Sequence, residues 1–404
     1  MSKPYRIVIA GAGVTGLTVA ALLARSRYSD KLQLTIVDAM ARPRHRSDDD
    51  TALRVSAIAT GSAELLRSIG AWDHVKNTRA CAYECMRVWD EAGSADGATT
   101  LRFDAAEFAM PQLGFIVENV LVQHAILNVL DDANVELVFD TPMISLQKNG
   151  QRYRIELAGG ETLDTDLVIG ADGVRSFVRE SVAIAAAEFP YGQNAFVTHL
   201  RPENPHRHTA WQRFLQDGPL GMLPLSDGRI SVVWSTRETT ADRAMHASDE
   251  QLGHMLSGAS DYVLGNLTVA GPRGTFPLCA RHAEHYVLPG VALIGDAAHA
   301  VHPLAGQGAN LGLQDAAVLA DVIVNAIGNG ETPGDRPVLR RYERARRGEN
   351  AAMLHLMTGL NRLFATDSAL VRELRAIGMR LFNVSGPIRD HAVKVALGGS
   401  LSRN

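Results

Sequence analysis

Cysteine is scarce in this sequence of 404 residues. The three cysteines, Cys81, Cys85 and Cys279, form no C-x-x-C pair, and no second Cys/His pair at zinc spacing accompanies them. A disulfide scaffold is therefore excluded, and we expect reduced thiols in a cytoplasmic protein without a metal site. The composition is 46% hydrophobic and 21% charged, which also excludes general disorder.

Neither sign of charge dominates the sequence. There are 40 Lys and Arg against 44 Asp and Glu, a net charge of −4, which gives no case for nucleic-acid binding. The charges are nevertheless uneven, because residues 336–404 carry 13 basic and 5 acidic side chains, a net +8. Such a segment suggests a surface for a membrane or an acidic partner, or else a helix with solvated arginines.

The first 38 residues have the pattern of a strand, a glycine-rich turn, a helix and a second strand. Residues 5–10 read as a buried strand, and 11–16 (GAGVTG) form a G-x-G-x-x-G turn. A helix pattern follows over 17–24, and a second strand over 32–37 ends in Asp38. This arrangement predicts a dinucleotide-binding βαβ unit, without distinguishing FAD from NAD.

Each glycine of the turn has a separate reason to be there. Gly11 permits the tight turn, Gly13 lets the backbone approach a pyrophosphate, and Gly16 lets the helix pack on the strand. The phosphates would bind free N–H groups at the helix N-terminus. Asp38 lies 22 positions after the last glycine, where its carboxylate would accept hydrogen bonds from the adenosine ribose.

Two later stretches favour FAD. Residues 166–176 (DLVIGADGVRS) run from a buried strand into a small-residue turn with Asp172-Gly173. Residues 291–315 contain a strand, Gly295-Asp296, and then a glycine-rich loop that opens a long Ala/Leu helix. That loop aims backbone N–H groups and the positive end of a helix dipole at one spot. Such a spot suits the edge of a flavin where negative charge gathers on reduction.

These three motifs, in this order, resemble those of the class A flavoprotein aromatic hydroxylases of the para-hydroxybenzoate hydroxylase type. Within that class the sequence most resembles the ubiquinone-biosynthesis hydroxylase family. The stretches that carry the closer resemblance are 114–119 (GFIVEN), 211–214 (WQRF), 218–224 (GPLGMLP), 302–308 (HPLAGQG) and 342–350 (YERARRGEN).

The resemblance implies roles for individual residues. In the order of the chain, the cofactor-binding residues are Gly11, Gly13 and Gly16 at the pyrophosphate, Asp38 at the ribose, Arg54 near flavin and pyrophosphate, Gln123 near the adenosine half, Asp172 and Gly173 for FAD and incoming nicotinamide, and Gly295 and Asp296 at the ribityl chain. The flavin cradle is Pro303, Gly306, Gln307, Gly308 and Asn310, and the substrate pocket contains Arg213, Phe214 and Pro224. Asp38 departs from the family, which often has Glu there.

We expect several other polar residues to have structural roles rather than to bind a ligand or a metal. His299 and His302 are expected to pack or to form hydrogen bonds, and Asp315 to occupy a helix position rather than to bind a ligand. His206 and His208 lie in a polar loop, where we expect no metal.

The expected fold is α/β: a Rossmann-like FAD-binding domain, an inserted β-sheet substrate domain and a helical C-terminal segment. The FAD-binding domain is discontinuous, from 1–73, 100–180 and 271–340. The substrate domain comprises 74–99 and 181–270, and the C-terminal helices 341–404.

The resemblance further implies an FAD-dependent monooxygenase that uses NADPH or NADH and O₂, through a flavin C4a-hydroperoxide, to hydroxylate a polyprenylated phenol. Three alternatives remain: a hydroxylase of a soluble single-ring phenolic compound, a flavoprotein reductase or halogenase, although the halogenase motif W-x-W-x-I-P is absent, and a non-catalytic FAD-binding subunit of a biosynthetic complex. No second G-x-G-x-x-G is present, so we expect the nicotinamide to visit transiently.

A polyprenyl tail partitions into membranes, so the location of the protein follows from its substrate. We expect a cytoplasmic protein that can lie peripherally at the inner membrane face or contact a biosynthetic-complex partner. Arg340, Arg344 and Arg347 have the i, i+4, i+7 spacing of one helix face and are the candidate contact.

Overall fold

The structure is a computed structural model that describes residues 3–302, 304, 307–366, 368–386 and 389–390. The strands of the described part are β1 (Tyr5–Ala10), β2 (Leu32–Val37), β3 (Val55–Ala59), β4 (Cys81–Tyr83), β5 (Cys85–Asp90), β6 (Leu101–Asp104), β7 (Gly114–Glu118), β8 (Val135–Val138), β9 (Met143–Asn149), β10 (Arg152–Leu157), β11 (Thr162–Thr165), β12 (Leu167–Gly170), β13 (Ala186–Pro202), β14 (Thr209–Leu215), β15 (Gly218–Pro224), β16 (Ile230–Arg237), β17 (Leu267–Ala283), β18 (Val287–Leu288), β19 (Val291–Leu293) and β20 (His299–Ala300).

The helices are α1 (Val14–Ala24), α2 (Thr60–Ser68), α3 (Trp72–Thr78), α4 (Asn119–Asp131), α5 (Phe177–Ser181), α6 (Glu238–His246), α7 (Asp249–Ala259), α8 (Gln307–Gly328), α9 (Arg336–Ala365) and α10 (Ala369–Val384). A short 3-10 turn, Gly295–Ala297, joins β19 to β20.

The first sheet is the Rossmann-like one. Its order is β18-β19-β12-β1-β2-β8, and all neighbours are parallel except the edge pair β18–β19. β1 ends in four buried residues, Ile7 to Ala10, because helices cover both faces of such a sheet and each strand becomes a continuous apolar run. α1 packs against α4 and α8. The predicted α/β fold with its FAD-binding unit is confirmed.

The second large sheet has eight strands in the order β20-β17-β13-β16-β15-β14-β5-β6. Side chains of alternate residues point to opposite faces. One face packs under α6 and α7, and its core contains Trp89, Phe196, Met222 and Trp234. The other face carries an apolar cluster in which Phe214 and Val88 pack with Leu304 and Met357. Leu304 lies in the loop before α8 and Met357 lies on α9, so this face is turned toward the first sheet's domain and α9.

At two places the observed strand pairing disagrees with the domain boundaries expected from the sequence. Residues 101–104 pair with β5 in the eight-stranded sheet, although the division placed them in the FAD-binding domain. β17 is a single strand of 17 residues that crosses the boundary drawn at residue 271. Both differences arise because pairing with a distant strand leaves little trace in a short local pattern.

Two three-stranded sheets, β11-β10-β9 and β3-β7-β4, complete the β structure of the described residues. Within those residues, one helix, Gly308–Gly328, is long and apolar enough to cross a membrane by length and composition. This helix is α8, which contacts α1 and α9. In its most apolar stretch of 18 residues, 61% of the residues are buried inside the protein. That burial is typical of a core helix.

Candidate functional site

The glycine-rich turn between β1 and α1 is shaped by close backbone contacts. Gly11 has φ +101°, and a Cβ there would lie 2.4 Å from the carbonyl oxygen of Ala171. A Cβ on Gly16 would lie 2.0 Å from the carbonyl oxygen of Gly11. By contrast, a Cβ on Gly13 would meet no described atom within 4 Å. Gly13 is the N-cap of α1, so the helix N-terminus faces open space that a pyrophosphate can fill.

Two polar side chains converge on the same turn. Asp38 accepts hydrogen bonds from the main-chain N–H of Ala12 (2.5 Å) and of Met40 (2.7 Å). Gln123, on α4, donates from Nε2 to the carbonyl oxygen of Ala12 (2.9 Å). Asp38 and Gln123 therefore flank the turn from two sides, where the adenosine half of a dinucleotide would lie.

The Asp172-Gly173 turn lies directly against the first one. A Cβ on Gly11 would be 2.9 Å from the Cα atom of Asp172, and Gly173 has φ +81°. Asp172 accepts a hydrogen bond at Oδ2 from Val178 N–H (3.0 Å), whereas its buried Oδ1 has no hydrogen-bond partner among the described residues. Burial raises the pKa of Asp172, although hydrogen bonds from Ser176 and Val178 oppose this. An orphaned buried oxygen at this place suits an external hydrogen-bond donor.

The Gly295-Asp296 turn meets the first motif through Thr15. A Cβ on Gly295, which has φ +57°, would lie 3.1 Å from Thr15 Oγ1, and one on Gly312 would lie 2.4 Å from the same atom. The strand end, the turn and α8 are therefore brought against the N-terminal turn of α1. The fold thus places the first and third motifs, almost 300 residues apart in sequence, side by side.

Asp296 projects from this turn with its carboxylate accessible to solvent, although protein surrounds it. Desolvation raises its pKa, and the charges of His299 and Arg54 oppose that rise. Arg54 therefore lies near Asp296, as expected for a residue near the flavin, and its guanidinium stacks over the Phe276 ring at 5.7 Å. The residues present fit FAD: an open pyrophosphate turn, polar groups for the adenosine and an accessible carboxylate for the ribityl chain.

The flavin cradle is described only in part. Pro303 and Gly306 lie outside the described residues, and Gln307 is described only as the first residue of α8. A Cβ on Gly308 would meet no described atom within 4 Å. Asn310 accepts from Ala59 N–H (2.9 Å) and donates to the carbonyl oxygen of Ala57 (2.8 Å), so its amide ties α8 to β3.

The three residues expected in the substrate pocket do not lie together. Phe214 faces Leu304 and α9, where its ring stacks on Phe364 with centroids 3.9 Å apart. Arg213 points to the opposite face, and its guanidinium donates to the carbonyl oxygens of Gly258, Ala259 and Glu91.

Adjacent residues of a strand point to opposite faces, so Arg213 and Phe214 do not line the same side of the sheet. Pro224 also lies on the face opposite to Phe214. It alternates along β15 with Leu220 and Met222, which pack under α6 and α7.

A buried polar cluster that the sequence did not predict lies beside the loop before α8. His302, 1% exposed, places Nε2 at 3.4 Å from Gln193 Oε1, and Asn361 Nδ2 donates to that same oxygen (3.1 Å). Burial lowers the pKa of His302 to about 4, so the ring is neutral near pH 7. No local sequence pattern marks Gln193 or Asn361, because they meet His302 only through tertiary packing.

Residues 5–356 match the model of a protein family described as the FAD binding domain. The chain belongs to this FAD-binding family. It is 34% identical to 3-demethoxyubiquinol 3-hydroxylase of Escherichia coli (strain K12), over 98% of this chain and 99% of that protein. It is also 34% identical to the mitochondrial ubiquinone biosynthesis monooxygenase COQ6 of Homo sapiens, over 97% of this chain and 92% of that one.

Solved structures share the fold of this chain. Pseudomonas aeruginosa PqsL in complex with 2-aminobenzoylacetate superposes with a TM-score of 0.77 at 21% identity, covering 93% of this chain and 99% of that one. The p-nitrophenol 4-monooxygenase PnpA of Pseudomonas putida DLL-E4 also gives 0.77, at 17% identity, over 98% and 99%. Together with the family, these comparisons identify the chain as an FAD-dependent monooxygenase of the aromatic-ring hydroxylase class, as the motifs predicted.

No cluster of three or more His, Cys, Asp or Glu among the described residues could hold a metal ion. Cys81, Cys85 and Cys279 are free thiols.

Replacing Gly13 by valine tests the pyrophosphate site. Because a β-carbon there would meet no described atom within 4 Å, we expect a folded protein that purifies without FAD, measured by visible flavin absorbance and by circular dichroism. Gly16→Val is the matched control, since its Cβ would overlap the Gly11 carbonyl and destabilise the fold itself. A Gly13→Val protein with full flavin absorbance would contradict the placement of the phosphates.

Asp296→Ala tests the ribityl contact. Loss of one charge-assisted hydrogen bond costs about 1.5–3 kcal/mol, roughly a 10–150-fold weaker affinity for FAD. The fold should persist, because Asp296 is an exposed residue. Titration of apoprotein with FAD measures the effect, and Asp296→Asn, which keeps an acceptor, should lose less. An unchanged dissociation constant for both variants would refute the assignment.

Proposed function

We propose that this chain hydroxylates the aromatic ring of a polyprenylated phenol in ubiquinone biosynthesis, using FAD, NADPH or NADH, and O₂. One oxygen atom of O₂ enters the ring, the other leaves as water, and the nicotinamide supplies two electrons. The observation that carries the proposal is the end-to-end similarity to 3-demethoxyubiquinol 3-hydroxylase, which spans both the cofactor motifs and the eight-stranded sheet.

The face of the sheet that carries Phe214 supports an apolar substrate. Phe214, Val88, Leu304, Met357 and Phe364 form one hydrophobic cluster next to the loop before α8. Such a wall, with a few convergent polar groups, is typical of sites for small apolar ligands. Its role is to orient the ring and to exclude water.

The neutral His302, whose Nε2 lies 3.4 Å from Gln193 Oε1, directly precedes Pro303 of the predicted flavin cradle in the sequence. A neutral imidazole and an amide can each exchange hydrogen bonds with a phenol oxygen without adding charge to a dry site. FAD, when bound, supplies the redox and oxygen-activating chemistry, whereas the chain provides position and environment.

NADPH or NADH is proposed to reach the cofactor from the side of Asp172-Gly173. The buried Asp172 Oδ1 without a described partner and the adjacent Arg179, 4% exposed, support this side. Arg179 donates to the carbonyl oxygens of Ala297 and Val174, so the basic group is fixed beside the turn.

Consumption of NADPH and of NADH tests the function. The holoenzyme should oxidise one of them several-fold faster with a polyprenylated phenol than without it, and should form a product heavier by one oxygen atom. Stimulation by soluble single-ring phenolic acids alone would favour the first alternative, a soluble-phenol hydroxylase. FAD binding without nicotinamide oxidation under any condition would favour the non-catalytic subunit.

We also propose that the protein is cytoplasmic and lies peripherally at the inner membrane face, with the basic C-terminal segment as the contact to anionic lipid or to a complex partner. Arg340, Arg344 and Arg347 are all exposed on α9. Arg346, within the same run, is buried and pairs with Asp315, so it takes no part in this surface.

Sedimentation with anionic liposomes tests that surface. Each basic residue near an anionic membrane contributes about 1 kcal/mol, so three should give weak binding that high salt abolishes. The triple Arg340→Glu, Arg344→Glu, Arg347→Glu variant should remain in the supernatant at low salt. Equal, negligible sedimentation of both proteins would remove direct docking and leave delivery by a partner or a soluble substrate.

A further inference from the structure

The carboxylate of Asp315 is fully buried on α8 and accepts four hydrogen bonds. Oδ2 accepts from Gly295 N–H (3.1 Å) and from His299 Nε2 (2.5 Å). Oδ1 accepts from Arg346 Nε (2.8 Å) and from Asn350 Nδ2 (3.1 Å), both on α9. The residue is therefore far more than the helix-position residue that the sequence suggested.

The two donors to Oδ2 lie at either end of the Gly295-Asp296 turn. Gly295 opens the 3-10 turn and has φ +57°, and His299 begins the next strand, β20. One oxygen atom thus holds both ends of the segment 295–299, from which the side chain of Asp296 projects. A turn held at both ends cannot change its backbone direction without breaking one of these bonds.

The two donors to Oδ1 come from the C-terminal helix. Arg346 is 3% exposed and Asn350 is fully buried, and Asn350 Oδ1 also accepts from Arg346 Nη2 (2.9 Å). One turn earlier on α9, Tyr342 donates to the carbonyl oxygen of Leu293 (2.8 Å), at the end of the strand that leads into the turn. Hydrogen bonds from α9 therefore hold the end of β19 directly and the Gly295-Asp296 turn through Asp315.

Charge pairing keeps this carboxylate ionised. Burial by itself raises the pKa of Asp315, but His299 and Arg346 outweigh it and lower the pKa to about 2. A buried ion pair stabilises a fold weakly, but removing one partner alone leaves an uncompensated charge. The arrangement is thus better explained by what it holds in place than by what it adds to stability.

We propose that Asp315 is a positioning residue for the flavin half of FAD, and that α9 belongs to the FAD-binding apparatus through Arg346 and Asn350. The proposal rests on FAD as the cofactor, but not on the identity of the phenol. It predicts that loosening this network weakens the contact at Asp296 and leaves the pyrophosphate turn and the adenosine side untouched.

The test compares FAD with ADP as ligands of the apoprotein. The paired variant Asp315→Leu/Arg346→Met removes both buried charges and so avoids leaving one unpaired. We expect it to fold, to bind ADP within twofold of the wild type, and to bind FAD roughly 10–100-fold more weakly, as for the loss of one or two hydrogen bonds to a fixed turn. A purely structural role would weaken both ligands alike or neither.

An exposed ion pair between the same two parts of the chain serves as the matched control. Arg341 on α9 donates to Glu331, just after α8, at 2.6 and 2.8 Å. Glu331→Gln/Arg341→Met should change neither affinity. Wild-type FAD affinity in the Asp315→Leu/Arg346→Met variant would overturn the proposal.

A milder variant guards against a failure to fold. Asn350→Leu removes one donor from α9 and keeps the Asp315–Arg346 pair. It should lower FAD affinity several-fold relative to ADP, and an unchanged ratio would overturn the role of α9. Because ADP binding requires no substrate, failure of the proposed hydroxylation would leave this result intact.

Discussion

The close approach of three chain segments around Thr15 places every other part of the cofactor site. The turn before α1, the Gly295-Asp296 turn and the start of α8 meet there, and a β-carbon would lie 3.1 Å from Thr15 Oγ1 at Gly295 and 2.4 Å from it at Gly312. Gly16 against Gly11 and Gly11 against Ala171 extend the same constraint to the Asp172 turn. Side chains at these glycine positions would prevent the segments from approaching this closely.

Local patterns were sufficient wherever one strand, one turn and one helix follow each other in sequence. The βαβ unit from Tyr5 to Asp38 is of this kind, and its glycines have the conformations and contacts that the spacing implied. The same holds for the turns at Gly173 and Gly295, both with positive φ. In each case the chemistry requires a backbone geometry that only glycine adopts easily.

Local sequence patterns do not predict contacts that depend on tertiary packing. Arg213 and Phe214 belong to one sequence motif, but strand alternation places their side chains on opposite faces of the sheet. Asp315 looked like an ordinary helix residue, because its partners lie 16 to 35 residues away along the chain. Gln193 and Asn361 were missed for the same reason, since their separation of 168 residues leaves no local trace.

Two strands of 17 residues, β13 and β17, pair along most of their length, with register shifts at 190–193 and 198–200, and lead from the cofactor side of the molecule into the eight-stranded sheet. A hinge needs a few residues with free dihedral angles, whereas a hydrogen-bonded ladder yields mainly by twisting. We therefore expect no hinge opening between the Rossmann-like part and the eight-stranded sheet at these strands. A bulky molecule should accordingly enter along a face of the sheet rather than through a gap that opens between the two large sheets.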